Sequence, residues 1–189
     1  SGGYFGYQSS TEEENGFKIK LARILKKLPR VDLVFLCNPN NPTGNMIDKD
    51  EIMFLAKECE RKGVFLVIDE VFMDFVEERE KVSMLEFASK NKRLLVLRSL
   101  TKFFALSGLR LGYVIGKDEV IKKIAAYQPP WSVNSLAQLA GCGVLKERSF
   151  ITRSREYIFE QRNELFAGLK KIKYLKAYPP SANFIFCKI

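Results

Sequence analysis

The chain has 189 residues, 47% of them hydrophobic, with 31 Lys+Arg against 22 Asp+Glu, no histidine and a formal net charge of +9. That length supports one good core, or one domain and part of another. No apolar run reaches the roughly 20 residues that a membrane-spanning helix needs. The basic residues are spread along helical segments, as in Lys18-Ile19-Lys20 and Lys170-Lys171-Ile172-Lys173, which reads as solvated helix faces with neither nucleic acid nor membrane as partner.

In chain order, residues 1–8 are rich in Gly and Tyr and read as irregular or as an edge segment. The opening Ser1-Gly2-Gly3, with no Met, reads as a fragment or a processed chain. Asn15-Gly16 marks a turn. Phe17, Leu21, Ile24, Leu25 and Leu28 recur at helical spacing until Pro29 stops the helix. Residues 31–37 form an apolar run, the pattern of a strand buried on both faces. It ends in a dense turn cluster, Asn38-Pro39-Asn40-Asn41-Pro42-Thr43-Gly44. Asp48 is placed to cap the next helix, with Glu51 completing a capping box. Ile52, Leu55, Ala56 and Cys59 make that helix's buried face, and Gly63 ends it. A strand over 64–68 delivers Asp69-Glu70, and a short helical piece near 84–88 leads to a strand over 94–97.

A second apolar run spans 111–115. Helices are predicted over 118–127, 134–145 and 150–172, the last with Ile158, Leu165, Leu169 and Ile172 on one side. Gln128-Pro129-Pro130-Trp131-Ser132 breaks the pattern, and Trp131 reads either as packing under the Pro-Pro turn or as touching a substrate. Two short strands, 175–178 and 183–187, close the chain. Strands alternating with helices predict an α/β fold, a mostly parallel sheet flanked by helices. Cys37, Cys59, Cys142 and Cys187 have neither zinc-site nor redox-pair spacing. All four read as reduced, mostly buried residues of a cytoplasmic protein with no metal site. The absence of histidine removes the usual Ser-His and Cys-His nucleophile pairs.

The chemistry concentrates between residues 98 and 113. Lys102 sits in a loop just off a strand end, preceded by Ser99 and Thr101 and followed by Arg110. Ligands of open α/β sheets bind outside the carboxyl ends of the strands. A lysine there can form a Schiff base with a carbonyl, and the hydroxyls and guanidinium are phosphate-binding groups. Taken alone, Lys102 is an ordinary solvated lysine among many. The whole string is more specific. Ser-x-x-Lys followed by Gly-x-Arg-x-Gly, with Arg110 eight positions past Lys102 between Gly108 and Gly112, resembles the cofactor-lysine motif of the fold-type I pyridoxal-phosphate enzymes, the aspartate aminotransferase superfamily.

That resemblance implies pyridoxal 5'-phosphate as cofactor and a residue-by-residue set of roles. Asn41 matches the asparagine of the family's Asn-Pro-Thr-Gly turn and would donate to the cofactor's ring oxygen, with a substrate contact also implied. The competing reading of that turn is a proline-rich connector. Asp69 would keep the pyridine nitrogen protonated, against the plainer reading of a strand-end aspartate capping a turn; Glu70 beside it reads as structural. Ser99 and Arg110, helped by Thr101, would bind the cofactor phosphate, and Lys102 would be both the Schiff-base residue and the catalytic acid/base. A tyrosine common three positions after the aspartate is here Phe72, a departure that leaves Asn41 as the expected donor to the ring oxygen.

Within the superfamily, the strings 69–75, 98–106 and 127–137 resemble the group of L-threonine-O-3-phosphate decarboxylases and histidinol-phosphate aminotransferases, leaning to the former. The implied reaction is decarboxylation of L-threonine O-3-phosphate to the aminopropanol phosphate of cobalamin biosynthesis. The alternative is amino-group transfer from histidinol phosphate or a related amino acid. The same comparison implies a cofactor-binding large domain over 1–149, lacking its N-terminal part, and a linking helix with the beginning of a small domain over 150–189. It also implies a phosphorylated amino-acid substrate and a homodimer. Two other readings stand beside it: a non-catalytic aminotransferase-like domain, and a nucleotide-binding α/β domain, which lacks a Gly-x-Gly-x-x-Gly turn or a phosphate loop.

Overall fold

The computed structural model describes residues 16–189; the expectation for residues 1–8 lies outside them. Among the described residues, a four-stranded sheet holds β1 (Leu33–Cys37), β2 (Phe65–Asp69), β3 (Leu94–Ser99) and β4 (Gly112–Gly116) in that order. The first three strands are parallel, and β4 returns antiparallel to β3. The chain between β1 and β2 forms α2 (Lys49–Arg61), after α1 (Leu21–Lys27) before the sheet. Between β2 and β3 come the single turns α3 (Arg79–Val82) and α4 (Leu85–Ala88). After β4 come α5 (Asp118–Ala125), α6 (Ser135–Val144) and α7 (Arg148–Leu169), then a two-stranded antiparallel ribbon, β5 (Lys176–Ala177) with β6 (Cys187–Lys188).

Register decides which residues share a face. Cys37, Asp69 and Leu97 are lateral partners, as are Ser99 and Gly112. Side chains alternate along a strand, so Asp69 and Ser99 point to one face, and Leu36, Ile68, Val96 and Arg98 to the other. The second face is the main core. Leu36, Leu66, Ile68, Leu94 and Val96 pack there with Ile52, Leu55, Ala56 and Cys59 of α2 and Ala88 of α4. The four α2 residues are at most 1% exposed, as their i, i+3, i+4, i+7 spacing requires. Burying each large aliphatic side chain contributes about 1.5–3 kcal/mol.

Several expectations are corrected here. Among the described residues the strand over 31–37 is covered on one face only: Leu36 is 4% exposed, whereas Phe35 is 68% and Leu33 45% exposed on the other. The helix expected from Phe17 begins at Leu21. Phe17 itself adopts a left-handed turn, φ 60°, and sets its ring edge-on to Tyr178 and Phe186 at 5.2 and 5.1 Å. Asp48 occupies the N-cap of α2, but its side chain makes no capping hydrogen bond. Gly63 ends that helix in the left-handed conformation, φ 74°. Helix α7 buries none of its residues fully; Leu165 is 57% exposed, and Ile151 and Ile158 make its partial contacts. Of the cysteines, all free, Cys59 is buried and Cys142 exposed; α6 turns Ala137 and Gly141 inward, and Cys142 lies one residue round.

A smaller apolar cluster anchors the chain between β3 and β4. Leu100, Phe103 and Phe104 are buried with Phe75, against Leu111, Val144, Ile151 and Ile158. Arg155 of α7 lies over the Phe103 ring at 5.5 Å. A methyl group on Gly141 would meet Leu111 at 2.5 Å, so α6 sits close upon this loop.

Candidate active site

Every sequence-nominated site residue lies at the end of the sheet where β1, β2 and β3 finish. Asp69 and Ser99 are the last residues of β2 and β3. Asn41 lies in the turn after β1, Thr101 and Lys102 follow β3, and Arg110 precedes β4, whose antiparallel direction starts it at the same end. Strand direction thus sets four separate stretches at the same end of the sheet, the place where open α/β sheets bind ligands.

Each is held by identifiable contacts. The Asp69 carbonyl accepts from the Asn38 amide at 2.9 Å, and one Asp69 carboxylate oxygen accepts from the Val71 amide at 2.9 Å. The Ser99 and Thr101 hydroxyls are 2.6 Å apart, and the Thr101 amide donates to the Ser99 hydroxyl at 3.2 Å. Lys102 is exposed between buried Thr101 and Phe103, so its neighbours fasten the loop and leave its amine outward. Arg110 has φ 56° and ψ 59°, a left-handed conformation that costs a non-glycine residue roughly 1 kcal/mol. Ala105 shares it at φ 54°. Together they bracket the 3₁₀ turn Ser107–Leu109, and Arg110 donates to the Ser107 carbonyl at 2.9 Å. Strained backbone of this kind clusters at ligand sites.

The Asn41 turn is braced from the far end of the sequence. Ser181 donates to the Gly44 carbonyl, and Arg162 of α7 donates to the Ser181 carbonyl at 3.0 Å. Phe72 lies edge-on to Phe184, ring centres 5.0 Å apart. Burial raises the Cys37 thiol pKa, opposed by a backbone hydrogen bond from Asn41, with the Asp69 charge adding to the rise. Trp131 is 95% exposed with φ 57°, so it does not pack under the Pro-Pro turn.

Sequence reasoning missed the arginine-centred network behind this end of the sheet. Glu70 is fully buried, and its carboxylate accepts from the Ser83 hydroxyl at 2.7 Å, the Met84 amide at 2.7 Å and Arg98 at 3.1 Å. Desolvation pushes the Glu70 carboxyl pKa up, opposed by the Met84 amide, the Arg98 charge and the side-chain hydrogen bonds. Arg98 also reaches Asp74 at 3.2 Å, which Arg79 meets at 3.0 Å. The available signal was Arg98, a lone charge at the end of an apolar strand beside another strand ending in Asp-Glu. A cavity of about 450 Å³ adjoins this network, lined by Arg98, Asp74, Arg155, Tyr113, Phe103 and Phe104 among others. Arg98 and Tyr113 are lateral partners, so the cavity lies on the face away from Asp69 and Ser99.

Residues 5–188 match the family model for aminotransferase class I and II. A protein of Caldanaerobacter subterraneus subsp. tengcongensis, provisionally named a threonine-phosphate decarboxylase, is 38% identical over 178 residues, covering 94% of this chain and 48% of the relative. A histidinol-phosphate aminotransferase of the same organism is 37% identical over 157 residues, covering 82% and 42%. The crystal structure of the histidinol-phosphate aminotransferase from Clostridium acetobutylicum superposes with a TM-score of 0.89 at 33% identity, over 96% of this chain and 54% of that one. The chain spans about half the length of the curated relatives it matches. With the family model matched along nearly its whole length and a relative 38% identical over 94% of it, the chain belongs to the class I and II aminotransferases, enzymes that depend on pyridoxal phosphate.

Proposed function

We propose that the protein carrying this chain decarboxylates L-threonine O-3-phosphate with pyridoxal phosphate held at the sheet end formed by Asn41, Asp69, Ser99, Thr101, Lys102 and Arg110. The supporting observation for the cofactor site is that convergence, with binding capacity left open. The Asn41 amide and the Lys102 amine make no hydrogen bond to another side chain among the described residues, and Asp69 uses one carboxylate oxygen. An amine, a carboxylate, an amide, paired hydroxyls and a guanidinium are a donor set that fits a phosphorylated aldehyde with a basic ring nitrogen.

When bound, pyridoxal phosphate supplies an electron sink for chemistry at an amino-acid Cα. The chain's residues do the rest. Ser99 and Arg110 hold the phosphate, the guanidinium by charge and fork geometry. Thr101, buried, steadies the Ser99 hydroxyl. Asp69 keeps a proton on the ring nitrogen, and Asn41 donates to the ring oxygen. Lys102 would hold the aldehyde carbon through its amine and, once the substrate amine displaces it, would deliver to Cα the proton that replaces the carboxylate lost as carbon dioxide.

The decarboxylase reading is favoured by Phe72, which sets a ring edge-on to Phe184 where the resembling aminotransferases usually carry a tyrosine. Amino-group transfer from histidinol phosphate is the second reading, supported by the 37% identical relative and the Clostridium structure. A homodimer, a cytoplasmic location and the division at residues 149/150 belong to the same proposal. The test uses the full-length protein. Adding pyridoxal phosphate is expected to give a near-ultraviolet or visible band that Lys102→Ala abolishes. Carbon dioxide release from L-threonine O-3-phosphate then supports decarboxylation. Glutamate formation from histidinol phosphate and 2-oxoglutarate replaces it with transfer, and no Lys102-dependent band refutes both.

A further inference from the structure

We propose that the buried Glu70–Arg98 pair is a positioning device for the cofactor site, holding Asp69 and Ser99 at a fixed mutual offset from the opposite face of the sheet. The inference rests on the pyridoxal-phosphate reading above. Its first support is register. Asp69 is level with Leu97 across β2 and β3, which sets Glu70 level with Arg98, each next in sequence to a site residue. Alternation sends Asp69 and Ser99 toward the site and Glu70 and Arg98 away from it. A link between the latter two therefore fixes the relation between the former two without touching any ligand.

The second support is how completely the link is built. The two side chains are 0% and 4% exposed. Arg98 reaches one Glu70 oxygen with Nε and Nη2, both at 3.1 Å, and its Nη2 donates to the Ser83 hydroxyl at 3.1 Å. That hydroxyl donates to Glu70, and the Met84 amide donates to the other carboxylate oxygen. The Glu70 amide in turn donates to the Leu97 carbonyl at 3.0 Å. On the far side Arg98 meets Asp74, whose backbone carbonyl accepts from Arg155 of α7 at 3.2 Å. The strand ends are thus tied to α7, which also braces the Asn41 turn through Arg162 and Ser181. A buried ion pair is seldom more stabilising than apolar residues of similar volume, so stability alone does not account for one here. Site residues need placement to within about 0.5 Å, and a rigid, directional link supplies it.

The test titrates pyridoxal phosphate into the full-length protein at equilibrium and records the ³¹P resonance of the bound phosphate and the melting temperature of the cofactor-free protein. In the neutral double variant Glu70→Leu/Arg98→Met, which leaves the Met84 amide without its acceptor, melting is expected to fall by about 2–12 °C. Its Kd for the cofactor is expected to rise about tenfold or more, and the ³¹P resonance to move. Arg98→Lys keeps the charge but loses the two-point contact with Glu70 and is expected to raise Kd about threefold; it decides the matter should the double variant not fold. Wild-type affinity and an unmoved resonance in whichever of these folds overturn the positioning role while the cofactor site stands. Wild-type protein that shows no Lys102-dependent binding overturns the cofactor reading and this inference with it.

Discussion

Replacing Gly112 by alanine puts a methyl group where β4 leaves no room for one. A Cβ built there lies 2.8 Å from the Arg98 carbonyl oxygen of the paired strand. Ordinary contact starts near 3.4 Å, so β4 must retreat by the difference, about 0.6 Å by subtraction, against rigid backbone. The movement falls on the Ser99–Gly112 pairing and on the 3.0 Å hydrogen bond from the Leu100 amide to the Leu111 carbonyl. Overpacking of this sort costs about 1–3 kcal/mol. At roughly 2–4 °C per kcal/mol for a chain of this size, the melting temperature should fall by about 2–12 °C. Gly108→Ala is the matched control, because nothing lies within 4 Å of its Cβ position and its backbone is not left-handed; its effect should stay within about 0.5 kcal/mol. Melting followed by circular dichroism on both variants decides the point. Equal shifts for the two glycines, or an unshifted Gly112→Ala, would refute the close-approach argument and the strand register on which it rests.

Helix capping gives a second contrast. Asn134 accepts from the Ala137 amide at 2.8 Å and donates to the Leu109 carbonyl at 3.1 Å, so Asn134→Ala should cost about 1–2 kcal/mol in urea unfolding. Asp48→Ala, at a cap position without the bond, should change it by less than about 0.5 kcal/mol. The cysteines should separate by rate in a thiol-labelling time course. Cys142 is exposed and should react first, whereas Cys59 is buried and its pKa is pushed up to about 11, mainly by desolvation. At pH 8 that leaves about 0.1% of Cys59 as thiolate. Raising the pH toward 11 increases that fraction, but labelling of Cys59 should still follow unfolding; labelling as fast as Cys142 in native protein would contradict its burial.

Much of this protein was legible along the chain. The α2 face was readable from spacing alone, because a helix maps i, i+3, i+4 and i+7 onto one stripe. Asp69 was readable at a strand end, and Ser99 and Lys102 just beyond one, because apolar runs of four or five residues mark where strands stop. The lysine-to-arginine spacing was readable because one loop carries both. What the sequence could not assign was anything that depends on which face a strand turns to which neighbour. Leu33 and Phe35 belong to the same apolar run as Leu36, and only sheet order and the helices' positions leave them exposed. The helix expected from Phe17 starts at Leu21 because Phe17 is taken by Tyr178 and Phe186, far along the chain. Glu70 and Arg98 are separated by 28 positions and become partners only when β2 and β3 pair in register. Local pattern determined the elements and the nominated chemistry here, because propensity and periodicity act over a few residues. Tertiary structure decided the faces, the brace from Ser181 to the Asn41 turn and the buried ion pair, because those are contacts between residues that only packing brings together.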